Sequence, residues 1–376
     1  MKIIADQNIA RLDNYFSTLG EVLAVNGRTI SNALLKKENA EILLVRSVTE
    51  VNKKLLKGTG ISFVGSTTAG INHIDVSFLD SEGIFFCHAP GSNATAVTEY
   101  VLSALACILL KQERQLSEIS VGIVGAGNVG GRLLRKCQEL GVCTFAYDPL
   151  LHASSEFFKE LVDLSQVLEQ DVITFHTPLT HTGTHPTYHL LDRKKTDLIR
   201  PGTILINTSR GEVVDNAAIL DRIKSRNDLI TVFDVWEGEP EISGELLALV
   251  NYGSPHIAGH STLGKVKATQ AVFEHLVQYL DRESFLSSQP ELQSNPEKLE
   301  LTPPYTIEQC LKAAYDISVE SEHFKQLQFQ PDIGKGFDSL RKNYNTRREF
   351  SEYCLPENKL SEKNAQLLKR LDFKLC

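Results

Sequence analysis

Three side chains that could share one reaction lie far apart in this sequence: Arg210, Glu239 and His256. Each falls just past a stretch that reads as a β-strand. The segments are Asn207-Thr208-Ser209-Arg210-Gly211, Asp234-Val235-Trp236-Glu237-Gly238-Glu239-Pro240 and Ser254-Pro255-His256-Ile257-Ala258-Gly259. In open parallel sheets, ligands bind beyond the carboxyl ends of the strands, so these segments are expected along one edge. Arg210 offers a planar fork that can grip a carboxylate and polarise the oxygen beside it. His256 can take a hydroxyl proton and return it in the reverse direction. Glu239 can bond the other imidazole nitrogen, fixing its tautomer and supporting the imidazolium that forms. Singly, an Arg after a strand is commonly a surface ion pair, Glu239 could shape a turn before Pro240, and His256 could be structural. Their shared place on a ligand-binding edge favours chemistry, and the set suits oxidation of a hydroxy acid.

Such an oxidation needs a hydride acceptor, and the sequence supplies a place for one. The run Val121-Gly122-Ile123-Val124-Gly125-Ala126-Gly127-Asn128-Val129-Gly130 carries an apolar strand into G-x-G-x-x-G. A helical segment, Val129 to Leu140, follows, and a second apolar run, Val142 to Tyr147, ends on Asp148. Gly125 permits the tight turn, Gly127 lets backbone approach a pyrophosphate, and Gly130 lets helix pack closely on strand. The helix start at Asn128 and Val129 presents free N–H groups to phosphates. Asp148 can accept hydrogen bonds from ribose hydroxyls and would repel a 2′-phosphate, which favours NAD over NADP. Alone the glycine motif is weak; in register with strand, helix, strand and acid it predicts dinucleotide binding.

The net charge of −8 argues against a general affinity for nucleic acid or an anionic membrane. Seven cysteines, scattered and without C-x-x-C, read as reduced thiols of a soluble cytoplasmic protein, most of them buried. The N-terminus shows no signal-peptide layout, and Lys111 and Glu113 close the longest apolar stretch before membrane-spanning length. A histidine-rich stretch, His176 to His189, invites a metal reading. Gly183 and Pro186 make a helix there unlikely to form, so its spacing does not align imidazoles, and no metal is expected. A polar loop with Thr177 near the cofactor is the better account.

At 376 residues the chain exceeds one typical domain. Short apolar runs alternating with helical segments predict parallel α/β structure over the first 280 residues or so. Strands are expected near 2–5, 21–25, 41–45, 61–65 and 84–87, and after the glycine motif near 142–147, 171–175, 203–207 and 229–234. Two long helices, Asn93 to Gln112 and Leu263 to Leu280, suggest that the chain returns to complete its first domain. The nucleotide domain would then be an insertion, with the active site in the cleft between the two. Ser284 to Pro304 reads as a linker. Beyond it, Thr306 with Gln309 has capping-box spacing and Ser361 precedes another helical pattern. About 70 residues make a marginal core alone, so an appended dimerisation domain is favoured over a catalytic one.

The glycine motif, Asn207-Thr208-Ser209-Arg210-Gly211-Glu212-Val213-Val214-Asp215, the 234–240 segment and His256-Ile257-Ala258-Gly259 resemble the D-isomer-specific 2-hydroxyacid dehydrogenases. Val45-Arg46-Ser47-Val48-Thr49, Thr68-Ala69-Gly70, Glu241 and a C-terminal Leu340-Arg341-Lys342-Asn343-Tyr344 with Arg347-Arg348-Glu349 narrow the match. They point to a branch that acts on a phosphorylated hydroxy acid and carries a C-terminal dimerisation domain that ordinary relatives lack. The resemblance implies an α/β fold: a Rossmann-type doubly wound NAD domain (96–259) inserted in a flavodoxin-like substrate domain (1–95 and 260–283). A small α+β dimerisation domain (284–376) would build a homodimer. It implies Arg210, Glu239 and His256 as catalytic, with NAD contacts from Asp148, Thr177, Asp234 and Gly259 and with Thr208, Ser209 and Arg210 on the same side. Ser47 and Thr68 would contact substrate. Family members carry tyrosine after the H-I-A-G run; this chain has His260, a shorter donor. Arg46, at a strand end, is expected near the substrate phosphate. A basic residue of the 341–348 stretch on a partner subunit could help, although a solvated face is the simpler reading. Other acids (3-phosphoglycerate, glycerate or lactate) and a non-catalytic NAD-sensing adaptor remain open alternatives.

Overall fold

The computed structural model describes residues 1–151, 158–288, 295–345 and 347–376. The chain divides into two compact units, 1–93 with 261–294 and 94–260 with 295–376.

The first unit is built on five parallel strands: β1 (Lys2–Asp6), β2 (Glu21–Val25), β3 (Ile42–Val45), β4 (Phe63–Ser66) and β5 (Phe85–His88). Their order, β2-β1-β3-β4-β5, is the flavodoxin-like one. Side chains alternate across the sheet as the two-residue period of a strand dictates. Ile3, Ala5, Ile42, Leu44 and Phe63 cluster with Val266, Val272 and Phe273 of the helix Thr262–Tyr279. Ile4, Leu43, Val45 and Val64 join Leu35, Leu55 and Leu79 in a second cluster. With both faces covered, a strand needs apolar residues at every position, which is why these read as continuous runs. Ser261 starts the helix Thr262–Tyr279 by accepting from the Gly264 N–H at 2.9 Å.

The second unit carries six parallel strands: β6 (Ser120–Val124), β7 (Cys143–Tyr147), β8 (Val172–Phe175), β9 (Ile204–Asn207), β10 (Ile230–Phe233) and β11 (Tyr252–Gly253). They lie in the order β11-β10-β9-β8-β6-β7, a doubly wound sheet whose direction of addition reverses at β6. Beside β7, where a full Rossmann sheet has another strand, the described residues make a single bridge, from Ala146 to Leu161. Three shorter strands, β12 (Glu297–Lys298), β13 (Tyr353–Leu355) and β14 (Lys374–Leu375), form a separate parallel sheet. The predicted helix starts hold. Thr306 and Gln309 cap each other's backbone at 3.3 Å before Ile307–Ala314, and Ser361 accepts from the Asn364 N–H at 3.2 Å before Glu362–Arg370.

Three expectations need correction. The helix Ala94–Lys111 is 18 residues long and apolar enough to cross a membrane by length and composition, yet 83% of it is buried inside the protein. Its all-round apolarity is that of a core helix, packed with Leu133, Leu134, Leu311 and Leu368. Cys354 and Cys376 are joined as a disulfide, against the expectation of seven free thiols, because β14 pairs with β13 and delivers the last residue to it. Cys87, Cys107, Cys137 and Cys310 are free and buried, and Cys143 is free and exposed. Within the expected linker, β12 is a strand paired with β13; residues 289–294 lie outside the described residues.

Candidate active site

The glycine loop follows β6. Gly125 adopts φ +88°, a conformation that favours glycine, and Gly127 precedes the helix Asn128–Glu139 with open space where a Cβ would stand. A Cβ on Gly130 would overlap the Gly125 carbonyl oxygen. Asp148, just past β7, accepts from the Ala126 N–H at 2.9 Å and the Leu150 N–H at 3.1 Å, so its carboxylate is held beside the loop. The Thr177 hydroxyl is buried with no hydrogen-bond partner among the described residues, and the methyl group of the same side chain lies against Gly125. An open glycine position, a twelve-residue helix start, a fixed carboxylate and an orphaned hydroxyl fit a dinucleotide. Gly130→Ala is expected to cost about 2–3 kcal/mol of stability, as overpacking does. It should also weaken NADH binding; a thermal melt and a fluorescence titration matching wild type would refute the packing argument.

Next to Thr177, half-buried His176 sits between Thr174 Oγ1 at 3.0 Å from Nε2 and Thr208 Oγ1 at 3.3 Å from Nδ1. Burial pulls its pKa down to about 3, so it is neutral and links β8 to the Thr208-Ser209-Arg210 turn. The other histidines of that stretch serve apart: His181 packs on Tyr188, Tyr188 on His189, and His189 Nε2 bonds Glu237. No cluster of three metal-ligating side chains occurs among the described residues.

After β9, Asn207 shapes the turn. Its Oδ1 accepts from the Ser209 N–H and hydroxyl at 3.1 and 2.9 Å, and its Nδ2 donates to the Arg210 carbonyl at 2.9 Å. Arg210 Nη1 donates to the Ser209 carbonyl at 2.7 Å. Burial lowers the guanidinium pKa, Glu239 and Glu212 oppose that, and Arg341 adds to it; the net shift is downward. After β10 the chain turns through Trp236, which is 1% exposed and donates from Nε1 to the Ser254 carbonyl at 3.0 Å. That anchor returns Glu239 so that its Oε1 accepts from the Trp236 N–H at 2.8 Å. Its Oε2 lies 2.7 Å from His256 Nδ1. Burial alone would raise the Glu239 pKa, but His256, the Trp236 N–H and Arg341 outweigh it, and the carboxylate stays ionised.

His256 itself sits at φ +57°, its N–H donating to the Asp234 carbonyl at 2.7 Å. Asp234 is buried, and burial raises its pKa despite its donors. Its carboxylate collects the Ser254 hydroxyl at 2.7 Å and the N–H groups of Ile257 and Ala258 at 2.7 and 3.0 Å. Ser254 in turn meets the buried Tyr100 hydroxyl at 2.6 Å. The loop carrying His256 and Gly259 is thus fixed at its start. Nδ1 is engaged by Glu239, which leaves Nε2 as the nitrogen that could meet a ligand.

The remaining expected residues fall elsewhere. Arg46, Ser47 and Thr68 belong to the first unit, at the ends of β3 and β4; Thr68 Oγ1 meets Ser66 Oγ and the Gly70 carbonyl, both at 2.7 Å. His260 is half-buried, with its ring 6.2 Å from that of Tyr344. Of the basic stretch Lys342 is exposed, but two arginines are not on a solvated face. Arg347 is 8% exposed, and half-buried Arg341 acts electrostatically on Arg210 and Glu239 of its own chain. Asn207 and Ser254 lie in segments the sequence singles out but were given no role there, and Tyr100, on the long helix, was passed over.

Residues 109–258 match the family described as D-isomer specific 2-hydroxyacid dehydrogenase, NAD binding domain, and residues 289–371 match a domain of unknown function. The chain is 43% identical over 361 residues to an erythronate-4-phosphate dehydrogenase of Shewanella loihica, covering 94% of each. It is 42% identical to that of Cronobacter sakazakii, over 99% of this chain and 98% of the relative. Among solved structures, a 3-phosphoglycerate dehydrogenase of Entamoeba histolytica with bound NAD⁺ superposes with TM-score 0.63. It is 21% identical and covers 77% of this chain and 98% of its own. A D-lactate dehydrogenase of Aquifex aeolicus gives 0.58 at 22% identity, over 76% and 97%. These two show the fold. With the glycine cradle and the His256–Glu239 pair already in place, the chain belongs to the erythronate-4-phosphate dehydrogenase family of NAD-dependent D-isomer specific 2-hydroxyacid dehydrogenases.

Proposed function

We propose that this chain oxidises 4-phospho-D-erythronate to 2-oxo-3-hydroxy-4-phosphobutanoate, a step of pyridoxal 5′-phosphate biosynthesis, as a cytoplasmic homodimer joined through its C-terminal residues. The observation that carries this reading is the 2.7 Å contact between His256 Nδ1 and Glu239, beyond the strand ends of an NAD-binding sheet and within electrostatic reach of Arg210. NAD held there would supply the acceptor for the hydride that leaves C2 of the substrate. His256 Nε2 accepts the hydroxyl proton, and Glu239 stabilises the resulting imidazolium through Nδ1–H. Arg210 grips the substrate carboxylate and draws charge toward the oxygen at C2. Gly125, Gly127, Asn128, Val129 and Gly130 cradle the pyrophosphate. Asp148 takes the ribose hydroxyls, with Thr177, Thr208, Ser209, Asp234 and Gly259 completing the cofactor side.

Ser47, Thr68 and His260 are the proposed polar contacts to substrate, with Arg46 at its phosphate. Burial and the charge of Arg46 together push the Lys265 ammonium below its ordinary range, so two cations of the first unit lie near each other. A dianionic phosphate would relieve that repulsion. Losing one charge-assisted hydrogen bond of about 1.5–3 kcal/mol raises KM by roughly 10–100-fold. Arg46→Ala is therefore expected to raise KM for the phosphorylated acid while kcat stays within about threefold; an unchanged KM removes Arg46 from the phosphate.

Turnover tests the whole reading. NADH formation is followed with authentic 4-phosphoerythronate, 3-phosphoglycerate, glycerate and lactate. The highest kcat/KM should fall to the first. A higher value for another acid would reassign the substrate, and NAD binding with no turnover on any acid would make the chain a sensor.

A further inference from the structure

We infer that Arg347, from the part of the chain matching a domain of unknown function, is a positioning residue for the reaction, holding the loop that carries His256. The inference rests on the dehydrogenase reading above, which wild-type turnover tests separately.

The peptides after His256 are gripped from two sides. On one, Asp234 takes the N–H groups of Ile257 and Ala258. On the other, Arg347 Nη1 donates to the Ile257 carbonyl at 3.2 Å and the His260 carbonyl at 3.5 Å. Arg347 Nη2 donates to the carbonyls of Ala258 and Ala96. One carboxylate and one guanidinium thus fix both edges of the Ile257–Ala258 peptide plane, and the guanidinium extends the grip to the next carbonyl. Ala96 lies in the first turn of the helix Ala94–Lys111, so the loop is tied to the most buried helix of the unit.

The guanidinium is suited to this by burial and by charge. It lies 4.8 Å from the ring centre of Tyr315 and 5.8 Å from that of Tyr100, a cation–π arrangement. Burial alone would lower its pKa, but Tyr344, Tyr315 and Glu99 outweigh it, and the net shift is upward. A planar fork with several fixed donors can serve carbonyls pointing in different directions at once; an ammonium on a flexible stem cannot.

A buried arginine that merely stabilised the core would have acceptors unrelated to the site. Here the carbonyls of Ile257, Ala258 and His260 are among the acceptors, immediately after the proposed proton carrier. His256 holds a left-handed backbone, φ +57°, that a non-glycine residue adopts only when its surroundings impose it. Arg347 and Asp234 are those surroundings. Loosening one side allows the imidazole to drift from its line with Glu239 and the substrate hydroxyl. An error of about 1 Å there can cost roughly 100-fold in rate.

The test compares full-length wild type, Arg347→Lys and Arg347→Gln by kcat, KM, NADH affinity from fluorescence and melting temperature. Arg347→Lys should fold, with KM and NADH affinity within about threefold of wild type and kcat lowered about 10–100-fold. Combined with Glu239→Gln, its loss in kcat should fall short of the product of the two single losses by about fivefold or more, because both act through His256. Unchanged kcat in either folded variant would overturn the inference. So would losses that multiply independently, or a fall in NADH affinity and melting temperature that tracks kcat. If neither variant folds, Arg347 is a stabilising residue and the positioning role is lost with it.

Discussion

His256→Asn is expected to lower kcat by about 10³-fold, within the 10²–10⁴ range that positioned acid–base groups supply, and to leave NADH affinity within about threefold. Asparagine is the informative replacement because residue 256 has φ +57°. Asn tolerates the left-handed region better than alanine, so the loop backbone and its bonds to Asp234 survive the change. Its amide offers no nitrogen that can accept a proton near neutral pH. The cofactor cradle at Gly125–Gly130 and Asp148 is built by other strands and does not depend on the imidazole. Glu239→Gln is the companion. It keeps an acceptor for Nδ1–H but removes the charge that supports the imidazolium, so a smaller loss, about 10–100-fold, is expected. Steady-state kinetics with a parallel fluorescence titration read both. A His256→Asn enzyme turning over near the wild-type rate would remove the acid–base assignment.

What the sequence revealed, and what it concealed, follows from the range of the interactions. Except for the two-residue β11, which was not expected, the strands of both large sheets fall within two residues of their expected positions, because a parallel strand covered on both faces must be apolar throughout. The glycine loop was legible because backbone geometry demands Gly125 and Gly130 at fixed offsets. Arg210, Glu239 and His256 were legible by a weaker rule, polar residues just past strand ends, which marks where a side chain can act but not what it meets. Arg347 was invisible to that rule. Its acceptors Ile257 and Ala258 are some ninety residues away, and a charged residue followed by Arg348 and Glu349 reads locally as surface. Arg341 was hidden for the same reason: its influence on Arg210 and Glu239 is tertiary. The single bridge at Leu161, in place of a full strand beside β7, is too short to leave any period in the sequence.

Arg210→Gln is expected to lower kcat/KM by about 10²–10⁴, the value of two charge-assisted hydrogen bonds at about 1.5–3 kcal/mol each. Arg210→Lys should fall between, since an ammonium keeps the charge but cannot present two parallel donors to a carboxylate. The loss should divide between KM and kcat. Gripping the carboxylate binds substrate and transition state alike and appears in KM; polarising the oxygen at C2 acts as charge develops and appears in kcat. The site is set for this role: burial depresses the Arg210 pKa and Arg341 adds to the local positive field, both of which an incoming carboxylate would relieve. The competing explanation is structural, since Arg210 Nη1 already holds the Ser209 carbonyl. That explanation predicts a lower melting temperature with kcat/KM nearly intact in the folded fraction. The carboxylate clamp predicts the opposite, a stable protein that binds NADH normally and has lost its acid. A folded Arg210→Gln enzyme with wild-type kcat/KM would leave the clamp without support, and with it the expectation that the substrate is a 2-hydroxy acid.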